Sequence, residues 1–189
     1  MNRRLFISVL FACLLPLAVQ AQQGVFRFAH LTDIHLSPNN PNPTEDLLRS
    51  VAQINATDSI DFVLVTGDIA EEGDRATMQK VKSCLDLLKA KYYVALGNHE
   101  TKWSDSGCTA FGEIFGGERF EFEHKGFLFL GFNSGPLMRM AYGHVVPQDI
   151  RWMKACMDRY NAGNPKLDKP VILATHYPMT EGDVDNWYE

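Results

Sequence analysis

The chain of 189 residues is 46% apolar and 22% charged, with 14 glycines and 9 prolines, which excludes collagen, a disordered tail or a multidomain array and fits one globular domain. Its 18 basic side chains face 23 acidic ones, and lysine and arginine are scattered along the chain. The basic face needed to hold a nucleic-acid backbone is therefore missing.

Leu5 to Val19 is apolar and follows Arg3 and Arg4. This core is shorter than the roughly 20 residues of a spanning helix and closes on Val19, Gln20 and Ala21, a small-x-small cleavage site. Residues 1–21 are thus expected to be a signal peptide, residues 22–189 the mature domain, and the protein to be exported to a periplasm or the exterior, with no membrane span after cleavage. An uncleaved N-terminal anchor is the competing reading. A lipid on Cys13 fits poorly, because the apolar run continues past it. Removing 21 residues from 189 leaves 168, with 16 basic and 23 acidic side chains and a net charge of −7. A domain of that size buries about 70% of the surface of its unfolded chain and needs no disulfide to fold. Cys84, Cys108 and Cys156 remain, with no CxxC spacing, so one disulfide is left open.

Val25 to Leu31 reads as a first strand, broken only by Arg27 and His30, that runs into Thr32, Asp33, Ile34 and His35. After a Pro and Asn loop at Asn39 to Pro43, Thr44 is placed to cap a helix on which Leu47, Leu48, Val51 and Ile54 recur at helical spacing. Asp61 to Thr66 is a continuous apolar run, the pattern of a parallel strand buried on both faces. Gly67 and Asp68 follow, then an acidic loop with Glu71, Glu72 and Asp74, then a second helix with Met78, Val81, Cys84, Leu85 and Leu88 on one face. A third strand, Tyr92 to Leu96, stops at Gly97, Asn98, His99 and Glu100. Arg119 to Glu123 and Phe127 to Phe132, joined through His124, Lys125 and Gly126, predict a hairpin. Ile150 to Tyr160 predicts a third helix, Asn161 to Lys169 a polar connector, and Pro170 to Thr175 a last strand that delivers His176, Tyr177 and Pro178.

Strands alternating with helices predict an α/β fold, and the hairpin makes its sheet mixed. Ligand crevices of such folds lie beyond the carboxyl ends of the strands. Asp33 and His35, two apart in an extended segment, share one side and can reach one ion. Asp68 offers two carboxylate oxygens, Asn98 a neutral oxygen, and His99 and His176 imidazole nitrogens. Each alone has a bland reading as a turn former or as a surface or core histidine. Asp, His, Asp, Asn, His and His in order, each behind an apolar strand, point instead to one metal-binding crevice.

These residues resemble the motifs of the calcineurin-like metallophosphoesterases. Asp33 and His35 match a DxH motif, Gly67 and Asp68 a GD motif, Gly97 to Glu100 a GNH(D/E) motif, and His176 a single histidine behind a later strand. The similarity runs from about Phe26 to Pro178. It implies a metallophosphoesterase-like α/β sandwich of mixed β-sheet flanked by helices. It also implies two metal ions, with Asp33 and His35 on the first, Asp68 bridging, Asn98 and His176 on the second, His99 as the acid, and Asn98 and His99 meeting substrate. The substrate class implied is a small phosphomonoester, phosphodiester or pyrophosphate, attacked in line by a hydroxide shared between the ions. Mixed oxygen and nitrogen ligands favour manganese, iron or zinc over calcium or magnesium.

Gln148 and Trp152 resemble a Q-x-x-x-W feature of relatives that hydrolyse phosphodiesters. Purple acid phosphatases, an exported branch, carry a tyrosine three residues after the bridging aspartate. Glu71 stands there in this chain, and the acidic stretch Glu71, Glu72 and Asp74 resembles the cyclic-nucleotide phosphodiesterase branch. The family's closing GHxH motif, expected some tens of residues after His176, does not occur before Glu189; Gly143 and His144 do not replace it, since Val146 stands in the second histidine's position. Each ion would then keep three protein ligands, and the chain is expected to be a piece of a longer protein that carries the motif and further strands. The competing reading is a catalytically silent metal-binding or interaction domain; the retained His99 favours the enzyme. His30, His124 and His144 are expected to be structural or on the surface. Arg139, in the loop Gly135 to His144, is solvated or meets a phosphate, and the sequon at Asn55 matters only in a glycosylating pathway.

Overall fold

The computed structural model describes residues 25–104, 106–135, 143–162 and 170–178. The expected signal peptide, Arg139 and its neighbours, and the residues beyond Pro178 lie outside the described residues. Strands β1 (Phe28–Leu31), β2 (Phe62–Thr66) and β3 (Lys91–Ala95) form a parallel sheet in that order. The crossovers that parallel pairing requires are helices α1 (Asn42–Ala56) and α2 (Arg75–Leu85). Every residue of β2 is buried, as its unbroken apolar run predicts. Val63 and Val65 pack under the helices with Leu47, Val51, Met78 and Val81, while Phe62 and Leu64 face the other way.

Helix α1 begins three residues earlier than expected, and Thr44 does not cap it. Pro41 occupies the cap position and Pro43 the first turn, where the fixed φ of proline is preorganised for a helix. The Thr44 hydroxyl is buried with no hydrogen-bond partner among the described residues. Helix α2 is capped by Asp74, whose carboxylate accepts the Thr77 N–H at 2.9 Å, a bond that stabilises a helix by about 1 kcal/mol. The acidic loop thus ends in a helix cap. A π-helical turn, His99–Trp103, and a short helix α3 (Thr109–Phe115) follow β3; sequence periodicity announces neither.

The second sheet contains β4 (Phe120–His124), β5 (Phe127–Gly131) and β6 (Val171–Ala174), with β4 and β5 antiparallel and β5 and β6 parallel. The hairpin turn is tighter than expected, only Lys125 and Gly126, at φ +46° and +82°, as a two-residue turn between twisted strands demands. Helix α4 (Pro147–Ala162) makes the crossover to β6. The expected sandwich is therefore built of two sheets, one parallel and one mixed. They meet through aromatic rings: Phe62 and Phe129 have centroids 5.0 Å apart, and Tyr93 stacks on Phe122 at 3.8 Å. Cys84, Cys108 and Cys156 are all free and buried, so no disulfide joins them. Burial pushes the Cys108 thiol up to about 12 and, together with the adjacent Glu121, the Cys156 thiol up to about 11. No helix among the described residues is long and apolar enough to cross a membrane.

Candidate metal centre

In the parallel sheet Leu31 pairs with Val65 and Thr66 with Ala95, so the three strands end side by side and their loops converge. Asp33 and His35 do not lie in an extended segment as expected. They and Asp68 have φ of +53°, +47° and +50°, left-handed backbone that costs roughly 1–2 kcal/mol per non-glycine residue. Bonds between the first two loops hold this conformation: Asp33 N–H to Gly67 O at 3.2 Å, His35 N–H to Asp68 O at 2.9 Å, and Leu36 N–H to Ile69 O at 3.0 Å. Strain of this kind persists where surrounding structure over-determines it, typically at functional sites.

The third loop is clamped by Glu100. Its fully buried carboxylate accepts the N–H groups of Gly97, Asp68, Ile69 and Ala70 at 2.8, 3.0, 2.9 and 3.1 Å. Burial, with the Asp68 charge, pushes its pKa up, while the bonds from Gly97, Ala70 and Asp68 act in the opposite direction. Gly67 and Gly97 allow the approach: a Cβ on Gly67 would stand 2.5 Å from Gly97 N, and one on Gly97 would stand 2.1 Å from Asp68 Oδ1. Sequence reading held Glu100 only as a motif letter.

Within this frame all six expected residues come together. Asp68 Oδ2 lies 3.3 Å from His176 Nε2 and 3.8 Å from the Nε2 atoms of both His35 and His99. His35 Nε2 is 3.7 Å from Asp33 Oδ1, and His176 Nε2 is 3.1 Å from Asn98 Oδ1. Asp68 Oδ1 accepts the His99 N–H at 2.9 Å. The rings of His35 and His99 meet edge to face at 4.7 Å. Burial works against the Asp68 charge, but the His176 bond and its charge outweigh this and lower the Asp68 pKa; burial likewise opposes the His176 charge and is outweighed by Asp68 and the Thr66 carbonyl, so His176 is raised.

The proton positions follow from the partners. His176 Nδ1 faces the Thr66 carbonyl at 2.7 Å, His35 Nδ1 the Glu71 carboxylate at 2.8 Å, and His99 Nδ1 the Glu71 carbonyl. Each partner can only accept, so each Nδ1 carries a hydrogen and each ring turns its Nε2 toward the oxygens around Asp68. These nitrogen and oxygen atoms turn to one place, a donor set that fits metal cations. Asp33, His35 and Asp68 offer ligand atoms within 4.8 Å of one another, and Asp68, Asn98 and His176 form a second set around the same carboxylate.

Other candidates lie elsewhere. His30 Nε2 is bonded to Thr66 Oγ1 at 2.7 Å, and His124 lies 3.2 Å from Asp61, both in structural roles as expected. Trp152 packs against the second sheet beneath the Arg119 guanidinium, 5.5 Å over its ring.

Fold and loop cluster together define an α/β protein with a metal-binding crevice at its strand ends. The sequence model of the calcineurin-like phosphoesterases matches residues 26–189, and the chain belongs to this family of metal-dependent phosphoesterases. A 3′,5′-cyclic-nucleotide phosphodiesterase of Nostoc sp. is 22% identical over 157 residues, covering 79% of this chain and 56% of the relative. A probable cyclic nucleotide phosphodiesterase of Rhodopseudomonas palustris is 34% identical over 82 residues, 40% of this chain and 30% of the relative. The Bacillus subtilis protein YvnB is 28% identical over 144 residues, 66% of this chain and 10% of the relative. The chain thus spans between about a tenth and just over half of these relatives. Two of the three are named for cyclic nucleotides, in keeping with the branch that Glu71 indicated. A purple acid phosphatase from yellow lupin seeds superposes with a TM-score of 0.47 at 16% identity, covering 73% of this chain and 28% of that one.

Proposed function

We propose that the chain is the catalytic part of an exported, dinuclear metal-dependent phosphoesterase whose substrates are small phosphodiesters of the cyclic-nucleotide type, with phosphomonoesters as poorer ones. The observation that carries the reading is the convergence of the Nε2 atoms of His35, His99 and His176 on Asp68 Oδ2. The names of two relatives support the diester, and the segment of residues 1–21 supports export.

Asp33, His35 and Asp68 would hold one ion, and Asp68, Asn98 and His176 the other, with manganese, iron or zinc suited to these donors. When bound, such a pair supplies Lewis acidity to the phosphoryl oxygens and acidifies water. Asp68 belongs to both sets because its Oδ2 lies between the histidines while the His99 N–H fixes its Oδ1. His99 keeps its Nδ1 hydrogen on the Glu71 carbonyl, so Nε2 is the atom that exchanges a proton. As imidazolium it donates from Nε2 to the leaving alkoxide or to a phosphoryl oxygen.

The test is hydrolysis of bis-p-nitrophenyl phosphate and p-nitrophenyl phosphate by the full chain, with and without Mn²⁺, beside Asp68→Ala. Mn²⁺-dependent turnover, faster on the diester and abolished by the substitution, is expected. A folded chain that binds Mn²⁺ yet turns over neither compound would establish the silent metal-binding domain instead.

A further inference from the structure

Glu71 meets the centre through three of its groups. Its N–H donates to Leu36 O at 2.9 Å, which ties it to the residue after His35, and the neighbouring Ala70 bridges Leu36 in parallel. Its carbonyl accepts from His99 Nδ1. Its carboxylate takes His35 Nδ1 at 2.8 Å. His35, Glu71 and His99 could be mistaken for a cation site of their own, since their ligand atoms cluster within 4.8 Å. The Glu71 carboxylate, however, faces His35 Nδ1 at 2.8 Å and keeps a hydrogen on that atom.

We infer that Glu71 is the positioning residue of the centre, holding both His35 and His99 as Nδ1–H tautomers with their Nε2 atoms turned to Asp68, the first ring through its side chain and the second through its main chain. A carboxylate behind a ligating imidazole fixes the tautomer and ring direction and raises ligand basicity. The inference rests on the metal-centre reading for its consequence but not for its geometry, which the chain's own groups define. Position 71, taken from sequence as a mark of the branch, thereby acquires a physical task. The two attachments predict different responses to mutation: truncating the side chain releases His35 and leaves the carbonyl on His99.

The experiment compares the full-length wild type with Glu71→Ala and Glu71→Gln. Imidazole ¹⁵N shifts of His35 and His99 are read in the metal-free protein at a pH where the rings are neutral, and Mn²⁺ affinity is read by calorimetry. In the wild type both rings are Nδ1–H. In Glu71→Ala His35 becomes a tautomer mixture, His99 does not change, and Mn²⁺ binds about 10- to 100-fold more weakly. In Glu71→Gln the amide oxygen still accepts, so the His35 tautomer is retained and less affinity is lost. An unchanged His35 tautomer in Glu71→Ala, or a loss in which both rings shift together, overturns the inference. Wild-type rings in the stated tautomers, released as described in a chain that binds no Mn²⁺, would support the positioning role and refute the proposed function alone.

Discussion

The buried carboxylate of Glu100 accepts the main-chain N–H of Asp68 at 3.0 Å, joining the loop after β3 to the loop after β2. Three further N–H groups share the same carboxylate. An unsatisfied buried donor costs about 1–3 kcal/mol. Glu100→Gln turns one acceptor into an NH₂ that faces donors, and is expected to lower unfolding free energy by about 2–4 kcal/mol and weaken Mn²⁺ binding. Urea titration and calorimetry check this. A cost below about 0.5 kcal/mol, the range of ordinary surface changes, would show that the clamp is dispensable.

Gly97 lies so close to Asp68 that an added Cβ would be 2.1 Å from Oδ1 and 2.3 Å from the main-chain N. The obstacle includes main chain, so one loop must move. Gly97→Ala is expected to cost about 1–3 kcal/mol and to weaken Mn²⁺ binding in the same protein. Gly107→Ala is the control: open space surrounds that position, and only its φ of +55° opposes a side chain. It should lose about 1 kcal/mol of stability with Mn²⁺ affinity intact. Equal effects of the two substitutions on affinity would remove the link between the Gly97 contact and the site.

Much of this was legible in sequence because it follows from local pattern. The unbroken run of β2, the helical face of α2 and the glycine turn of the hairpin each state their structure within a few residues. Helix α3 has only seven residues, too few to show a period. The left-handed backbone at Asp33, His35 and Asp68 was hidden because Asp and His, though enriched in that conformation, adopt it only where surroundings impose it, and here bonds between loops do so. The site residues were found by type and order, while Glu71 and Glu100 were not, because their roles depend on which loops meet. Asp74 was seen only as part of an acidic stretch and proves to be a helix cap.

Asp61 gives the fold a pH-sensitive tie. It accepts the Arg27 N–H at 3.0 Å and Lys125 Nζ at 3.0 Å, with His124 at 3.2 Å, joining the hairpin turn to the entries of β1 and β2. The Arg27 bond, and next the Lys125 bond, lower its pKa below the usual 3.8. A carboxylate with a depressed folded-state pKa stabilises the fold above its unfolded pKa and loses that contribution as pH falls through the folded value. Asp61→Asn should therefore melt below the wild type at pH 7, with the gap closing as pH drops below about 3.8. A gap that is constant from pH 7 to pH 2 would show that shape and not charge sets its effect.

Four of the five expected metal ligands, Asp33, His35, Asp68 and Asn98, come from loops of the parallel sheet, while His176 follows β6 of the other sheet. Its Nδ1 bond to Thr66 O at 2.7 Å crosses from one sheet to the other, so packing between the sheets sets where this ligand stands. Phe129 is fully buried at that junction, with ring centroids 5.0 Å from Phe62 and 4.7 Å from Phe122. Phe129→Ala is expected to cost about 3–5 kcal/mol and, in the fraction that stays folded, to weaken Mn²⁺ binding at the proposed His176 site more than at the proposed Asp33 and His35 site. Phe129→Leu fills most of the space and should spare both. Mn²⁺ titration followed by electron paramagnetic resonance separates the two sites by stoichiometry. Loss of both ions in parallel would mean that the loops of the first sheet depend on the sandwich as much as His176 does.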